Sequence, residues 1–258
     1  MCRYRPTHVL YTVLHPESKE FIALQYFSLD KYNAFNQCKD IFYHNNWLSK
    51  SYRNIIVSYN FAGSLLIPEA SYHQEANADL LNMIYGDLNA GQTLAFHLPD
   101  WQVWNVYRVP VALHQLLTEI YPGAAFFHFN TFMLKGKQKQ EPEVGKDVIS
   151  LVFYSSNLVC LLLQDGKLQL LKTFEYETAE DVNYHLLNMC RQLNVDCEKA
   201  IMDVSGFIDD RSSVYTGLEK YFRHITLSNR PSGFQYDEAF NEYPQHFFTS
   251  LFNTALCE

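Results

Sequence analysis

The order of apolar runs and turn residues between Asp147 and Asn229 constrains the fold more than any other part of the sequence. Three runs rich in β-branched, leucine and aromatic residues occupy residues 147–154, 158–164 and 167–176. Asp165-Gly166 separates the last two runs, and Asp-Gly in that position is the strongest short-range signal for a β-hairpin. We therefore predict a three-stranded antiparallel meander over this stretch.

A helix, a strand, a second helix and a closing strand are predicted after the meander. Thr178 suits the N-cap of the first helix. The apolar face of that helix has helical spacing and comprises Val182, Leu186, Met189, Cys190 and Leu193. A strand is predicted at 199–204, and Ser212 or Ser213 begins the second helix. Strands joined by helices imply right-handed crossovers and a parallel part of the sheet. The order βββαβαβ is that of the ribonuclease-H-like fold, the unit that actin-like ATPases duplicate.

The first half of the chain has a similar order of predicted elements, so two lobes are expected. The first lobe is assigned to residues 1–134, with an extra hairpin near 93–109, and the second to residues 147–258, with a C-terminal amphipathic helix at 243–257. The polar, Pro- and Gly-containing segment 138–145 is predicted to link them. The predicted fold class is thus α/β: two ribonuclease-H-like lobes in an actin-like ATPase fold, with mixed sheets and helices on their faces.

Composition and charge exclude several classes of function. The chain has 258 residues and a net charge of −8, which argues against a general nucleic-acid or anionic-membrane binder. Its six cysteines form no CxxC pair, so reduced structural cysteines are expected and no metal site is assigned. No secretion signal and no apolar run long enough to cross a bilayer occur in the sequence. These features predict a cytoplasmic protein.

Several segments resemble a known bacterial family. They are Ser64-Leu-Leu-Ile-Pro68, Tyr121-Pro122, Gly166-Lys-Leu-Gln-Leu-Leu-Lys-Thr-Phe174, Asp181-Val-Asn-Tyr-His-Leu-Leu-Asn188 with Leu193-Asn-Val195, and Tyr243-Pro-Gln-His246 with Cys257-Glu258. Together they are similar to the family called domain of unknown function 3822, DUF3822. The resemblance implies an actin-like, duplicated ribonuclease-H-like fold, and its relatives by fold are proteins of cell division and pilus assembly. It implies no particular activity.

The N-terminus departs from the pattern of this family. The resemblance leads us to expect a full strand and a turn ahead of His8, whereas the sequence has seven residues there. Two explanations stay open: a short first strand, or a start placed late.

The resemblance also shows where nucleotide would bind if it binds at all. Actin-like ATPases place Asp followed by Gly in the first hairpin of each half. In the second half that turn contains Ser155, Ser156 and Asn157, and in the first half it would fall near residues 5–7, where Pro6 removes a backbone donor. Neither turn has an acid or a glycine. We therefore assign no cofactor and no catalytic residue, although Ser155, Ser156 and Asn157 could still hold an anion.

Ser205-Gly206 follows a predicted strand at the place where such proteins hold adenosine, and a structural turn is the alternative interpretation. No GxxxxGK[ST] motif occurs, which excludes a P-loop enzyme. Ribonuclease-H-like nucleases need several acids that converge at strand ends. The predicted positions of Asp147, Asp165 and Asp203 do not obviously converge.

The extra hairpin is rich in aromatic residues that favour protein interfaces. Trp101, Trp104 and Tyr107 lie within seven residues, in the stretch 97–107. We predict that at least one of the three is substantially exposed and binds a partner protein; packing between lobes is the alternative. The leading function predicted from the sequence is a non-catalytic scaffold that binds another protein. The alternatives are a nucleotide-binding or ATP-hydrolysing protein of this fold and a divergent nuclease.

Overall fold

The computed structural model describes residues 2–5, 8–30, 32–86, 91–138 and 145–257. Pro6, Thr7 and most of the linker predicted at 138–145 lie outside these ranges. The chain divides into two compact units. The first contains the described residues up to Lys135 together with Gly233–Phe240 and Cys257, and the second contains Gly136–Ser232 and Asn241–Leu256.

Fourteen strands occur in the described ranges. In chain order they are β1 (Cys2–Arg5), β2 (His8–His15), β3 (Glu20–Ser28), β4 (Ile56–Tyr59), β5 (Ser64–Pro68), β6 (Gln92–Leu98), β7 (Val103–Val109), β8 (Ala125–His128), β9 (Asp147–Phe153), β10 (Asn157–Gln164), β11 (Lys167–Glu175), β12 (Ile201–Gly206), β13 (His224–Leu227) and β14 (Gln235–Tyr236).

In the described ranges, six helices lie between these strands and a seventh follows the last strand. They are α1 (Ala34–His44), α2 (Asn77–Tyr85), α3 (Val111–Ile120), α4 (Phe129–Gln138), α5 (Ala179–Gln192), α6 (Ser213–Glu219) and α7 (Thr249–Phe252). Single 3₁₀ turns occur at Glu69–Ser71, Gln74–Ala76, Pro99–Trp101, Glu238–Glu242 and Asn253–Cys257.

The main sheets of the two units have the same strand order. The second unit has the order β11-β10-β9-β12-β13, in which β9, β10 and β11 are antiparallel and β12 and β13 run parallel to β9. The first unit repeats this order as β3-β2-β1-β4-β8 and adds β14 at the β3 edge. The predicted meander is confirmed, and β10 is buried along its length because both faces of the strand are covered.

The core of the second unit lies between its sheet and the two helices predicted from the sequence. Phe153, Leu162 and Met202 from the sheet pack with Leu186 of α5 and Leu218 of α6. Cys160 is fully buried there, and burial raises the pKa of its thiol to about 12. A thiol with so high a pKa stays protonated and unreactive, as expected for a structural cysteine.

The N-terminus of α5 is fixed by a capping box. Thr178 Oγ1 accepts a hydrogen bond from the Asp181 N–H, and the Asp181 carboxylate accepts one from the Thr178 N–H. We expect Thr178→Ala to lower the free energy of unfolding by about 1 kcal/mol, because the Asp181 N–H loses its side-chain acceptor at the first turn of the helix. Chemical denaturation measures the loss. Thr216→Ala, which removes the same side chain from inside α6, is the control and should cost little; equal losses in both variants would contradict the prediction.

The extra hairpin predicted near 93–109 is part of a larger insertion. β5, β7 and β6 form a separate three-stranded antiparallel sheet. α2 packs on one face of it through a small cluster that contains Ile67, Leu81 and Val106. The predicted hairpin thus corresponds to β6 and β7, and β5 and α2 belong to the same insertion.

Two elements differ from what the sequence pattern indicates. The aromatic run at 124–130 predicts a strand, but β8 ends at His128, and α4 follows at once because the Asn130 N–H is held by His128 Nδ1 at 3.1 Å. The C-terminal helix predicted at 243–257 is reduced to α7 and a 3₁₀ turn. In a continuous helix the His246 carbonyl would accept from residue 250; here it accepts from the Gly206 N–H at 2.8 Å.

The lobe boundaries 1–134 and 147–258 stay a prediction. The structure joins Gly233–Phe240 to the first unit, because β14 pairs with β3 and Phe21 packs against Phe234 and Tyr236.

Candidate functional site

The residues proposed for nucleotide binding meet at one edge of the second unit's sheet. β9 and β12 are parallel neighbours, and Phe153 at the end of β9 pairs with Gly206 at the end of β12. The turn that contains Ser155 and Ser156 therefore lies next to Ser205-Gly206. Ligands of open α/β sheets bind outside the carboxyl ends of strands, so this edge is the place to test for a site.

The turn between β9 and β10 is closed by its own backbone. The Tyr154 N–H donates to the Asn157 carbonyl at 2.9 Å, and the Tyr176 N–H donates to the Ser156 carbonyl at 3.0 Å. The Tyr176 hydroxyl donates to the Tyr154 carbonyl at 2.5 Å. Ser155 and Ser156 are exposed. The turn thus offers two exposed hydroxyls, with neither a carboxylate for a metal ion nor a glycine that would let backbone amides approach a phosphate.

Ser205 and Gly206 are buried and already engaged. Ser205 Oγ donates to the Leu151 carbonyl at 3.3 Å, and the Gly206 N–H donates to the His246 carbonyl at 2.8 Å. Gly206 has φ +89, and a Cβ on it would lie 2.1 Å from the Phe153 carbonyl oxygen. Only glycine fits here. The close approach of β9, rather than a ligand, accounts for this glycine.

His246 closes this part of the edge from the C-terminal segment. Its side chain is 7% exposed, and its Nε2 lies 2.7 Å from the Ile208 carbonyl oxygen. Because a carbonyl only accepts, Nε2 carries the proton. The backbone and side chain of His246 therefore hold both ends of the loop 206–208. Sequence reasoning missed this residue, since nothing in the local pattern around His246 points to a loop forty residues earlier.

The carboxylates considered for a nuclease do not converge. Asp203 accepts from Ser228 Oγ at 2.5 Å and lies 3.4 Å from Lys137 Nζ. Asp147, at the opposite end of β9, accepts from Gln164 Nε2 at 3.1 Å, and Asp165 accepts from the Gly145 N–H. Among the residues that the structure describes, no group of three His, Cys, Asp or Glu side chains could hold a metal ion.

The three aromatic residues of the extra hairpin have different environments. Trp101 is half-buried and donates from Nε1 to the Leu134 carbonyl at 3.1 Å. Trp104 is half-buried and stacks on Tyr72 and His97, with ring centroids 4.1 and 4.6 Å apart. Tyr107 is 2% exposed, so it belongs to the core and we withdraw it from the proposed contact surface. At least one of the three was predicted to be substantially exposed, whereas two are half-buried and one is buried.

Comparison with protein families decides the family of the chain. The model of the family described as "Protein of unknown function (DUF3822)" matches residues 1–225. The chain belongs to the DUF3822 family. A search of curated protein sequences found no relative of this DUF3822 protein.

The solved structures that are similar to the DUF3822 chain include two that cover 99% or more of it. A Bacteroides thetaiotaomicron protein with an actin-like ATPase fold and unknown function has a TM-score of 0.85 at 17% identity, covering 100% of this chain and 95% of that one. The PilM-PilN type IV pilus biogenesis complex has a TM-score of 0.57 at 10% identity, covering 99% and 97%. These likenesses confirm the actin-like ATPase fold. In the described ranges of the DUF3822 chain, no helix is both long enough and apolar enough to span a bilayer.

Proposed function

We propose that this DUF3822 protein is a non-catalytic scaffold that binds another protein. The observation that carries the proposal is the hydrogen bond from the Gly206 N–H to the His246 carbonyl. A nucleotide at this edge would need free backbone donors and an acid for the metal ion. Here the backbone N–H of Gly206 already donates to the His246 carbonyl. The neighbouring turn at 154–157 contains no acidic residue.

The environment of Asp203 supports the same conclusion. It is the acid of β12 closest in sequence to Ser205-Gly206, and its two oxygens face Ser228 and Lys137. A carboxylate that is hydrogen-bonded and paired with a lysine is a poor ligand for a magnesium ion. The PilM-PilN complex, in which a protein of this fold is joined to another protein, is an example of the kind of role we propose.

We expect that Mg-ATP neither stabilises this protein nor is hydrolysed by it. Binding adds RT ln(1 + [L]/Kd), which is about 2.7 kcal/mol at a hundredfold excess over Kd. Thermal unfolding with and without millimolar Mg-ATP tests this, together with phosphate release. An active actin-like ATPase in the same buffer is the positive control. A clear upward shift of the unfolding temperature that EDTA abolishes, or release of phosphate above the buffer rate, would refute the proposal and favour the nucleotide-binding alternative.

A further inference from the structure

A cleft lies within the insertion of the first unit, between its helix and one edge of its sheet. The volume of the cleft is about 450 Å³, within the range of ligand sites. Its walls include Gln74, Glu75, Ala78, Thr93, Ala95 and Trp104. The side chains of Thr93 and Ala95 are small, so they leave the space between β6 and α2 open.

The strand that borders the cleft has an unpaired edge in the described part of its sheet, where β7 is central and β6 is an outer strand. Thr93, Leu94 and Ala95 all line the cleft. Side chains alternate between the two faces of a strand. Thr93 and Ala95 therefore share the face that lines the cleft, and Leu94, whose side chain packs against the core of the first unit, borders it through its backbone.

The edge of β6 lacks the features that normally prevent strand addition. Its seven residues, Gln-Thr-Leu-Ala-Phe-His-Leu, include no lysine, acid or proline, and its ladder with β7 has no bulge. The other described edge strands are protected: β8, β13 and β14 have four residues or fewer, β5 ends at Pro68, and β11 carries Lys167 and Lys172. β6 is thus a template for an added strand.

Aromatic rings give the cleft a rigid wall. Tyr72 stacks on Trp104 at an interplanar angle of 6°, and the Asn77 amide donates to the Tyr72 hydroxyl at 3.1 Å. On the other face of Trp104, His97 stacks at 17° and lies 3.3 Å from the Glu69 carboxylate. Trp104 is held on both faces, so little ordering is needed when a partner packs against its edge.

The insertion is strongly acidic. Residues 64–109 contain one basic side chain, Arg108, and the acidic side chains Glu69, Glu75, Asp79, Asp87 and Asp100. The Arg108 guanidinium donates to the Gly86 carbonyl and to Asn82 Oδ1, so it is engaged within the insertion. Glu75 lies in the wall of the cleft and is exposed. A second copy of this chain would bring the same negative charge to the edge, whereas a basic segment would be attracted.

We propose that the free edge of β6 binds an extended, basic segment of a partner protein, which adds a strand to the sheet and places a side chain in the cleft beside Trp104. This inference rests on the proposed protein-binding function and names its surface. Backbone hydrogen bonds to β6 supply affinity, and the cleft with Glu75 selects alternate side chains. Lysine or arginine at those positions would reach the Glu75 carboxylate.

Selection from a random heptapeptide library displayed on phage tests the proposal with the full chain. Peptides that bind the wild type are counter-selected against Ala95→Lys, which adds a charge to the edge at an exposed position. We expect peptides that alternate Lys or Arg with β-branched or aromatic residues. Their synthetic forms should bind Ala95→Lys at least tenfold more weakly and Glu75→Gln several-fold more weakly. Glu119→Gln, the same change at an exposed site on α3, is the matched control and should leave affinity unchanged.

Hydrogen exchange then locates the bound peptide, because an added strand protects backbone amides of β6.

The proposal is overturned if no peptide is enriched over the counter-selected variant, or if the enriched peptides are acidic. It is also overturned if Ala95→Lys binds the peptides as well as the wild type does. Dimerisation of the wild type that Ala95→Lys abolishes would also overturn it, in favour of a second copy. If peptides bind elsewhere, this surface is wrong while the protein-binding function stands; a shift with Mg-ATP would instead contradict the proposed function.

Discussion

We expect Gly206→Ala to lower the free energy of unfolding by roughly 3 kcal/mol or more, since it combines backbone strain with a steric clash. Gly206 has φ +89, and a Cβ there would meet the Phe153 carbonyl oxygen at 2.1 Å and the Phe153 nitrogen at 2.8 Å. Both atoms are backbone atoms of β9, so neither can rotate away. Relief of the clash requires β9 and β12 to separate, which breaks the Phe207 N–H to Phe153 carbonyl bond of 2.8 Å.

Gly145→Ala is the matched control in the same unit. Gly145 also has a positive φ, +73, but no atom lies within 4 Å of the position of its Cβ. Its alanine variant should show backbone strain alone, about 1–2 kcal/mol. Urea denaturation of the two variants and the wild type measures the difference. If both variants lose the same amount, the close approach of β9 is not what requires glycine at 206, and a ligand role for Ser205-Gly206 regains support.

The elements that the sequence predicted well are those in which local signals agree with one another. Asp165-Gly166 adopts the hairpin turn, with both residues at positive φ. Thr178 is the N-cap of α5, and the apolar face of the helix packs on the sheet at the predicted spacing. The helix predicted at 243–257 forms only in part, because a contact between distant residues overrides the local signal. Its apolar spacing suits a helix, but the hydrogen bond between His246 and Gly206 joins residues forty apart in sequence, which no local pattern contains.

The candidate site illustrates the same limit. The turn at Ser155-Ser156 and Ser205-Gly206 lie at one edge of the sheet, because parallel strands end together. The sequence could not reveal that the Gly206 N–H donates to the His246 carbonyl. Aromatic content likewise indicated a contact surface on the hairpin at 93–109, but the exposure of each ring depends on what packs against it. The helix α2 and the stacked ring of Tyr72, which come from another part of the chain, decide the environment of Trp104.

Tyr107→Ala should be among the most destabilising substitutions in the first unit, with a loss of roughly 3–5 kcal/mol in the free energy of unfolding. Tyr107 is 2% exposed and packs in the core with Tyr59, Val109 and Leu113. Removal of the ring leaves a cavity that the surrounding sheet cannot close. Burial also raises the pKa of the Tyr107 hydroxyl, so the side chain stays neutral at ordinary pH.

Two variants separate the packing of Tyr107 from other contributions. Tyr107→Phe keeps the ring and removes a hydroxyl that is 3.5 Å from the Phe126 carbonyl, at the limit of a hydrogen bond, so its loss should stay near 1 kcal/mol. Tyr32→Ala, at a position 95% exposed, should lie within about 0.5 kcal/mol of the wild type. Equilibrium denaturation followed by circular dichroism measures all three. A Tyr107→Ala protein as stable as Tyr32→Ala would mean that the ring is not a core residue, and would return it to the contact surface with Trp104. With the expected loss, the aromatic residues of the hairpin divide by role: Tyr107 holds the insertion to the core, which leaves the ring of Trp104 to form the wall of the cleft.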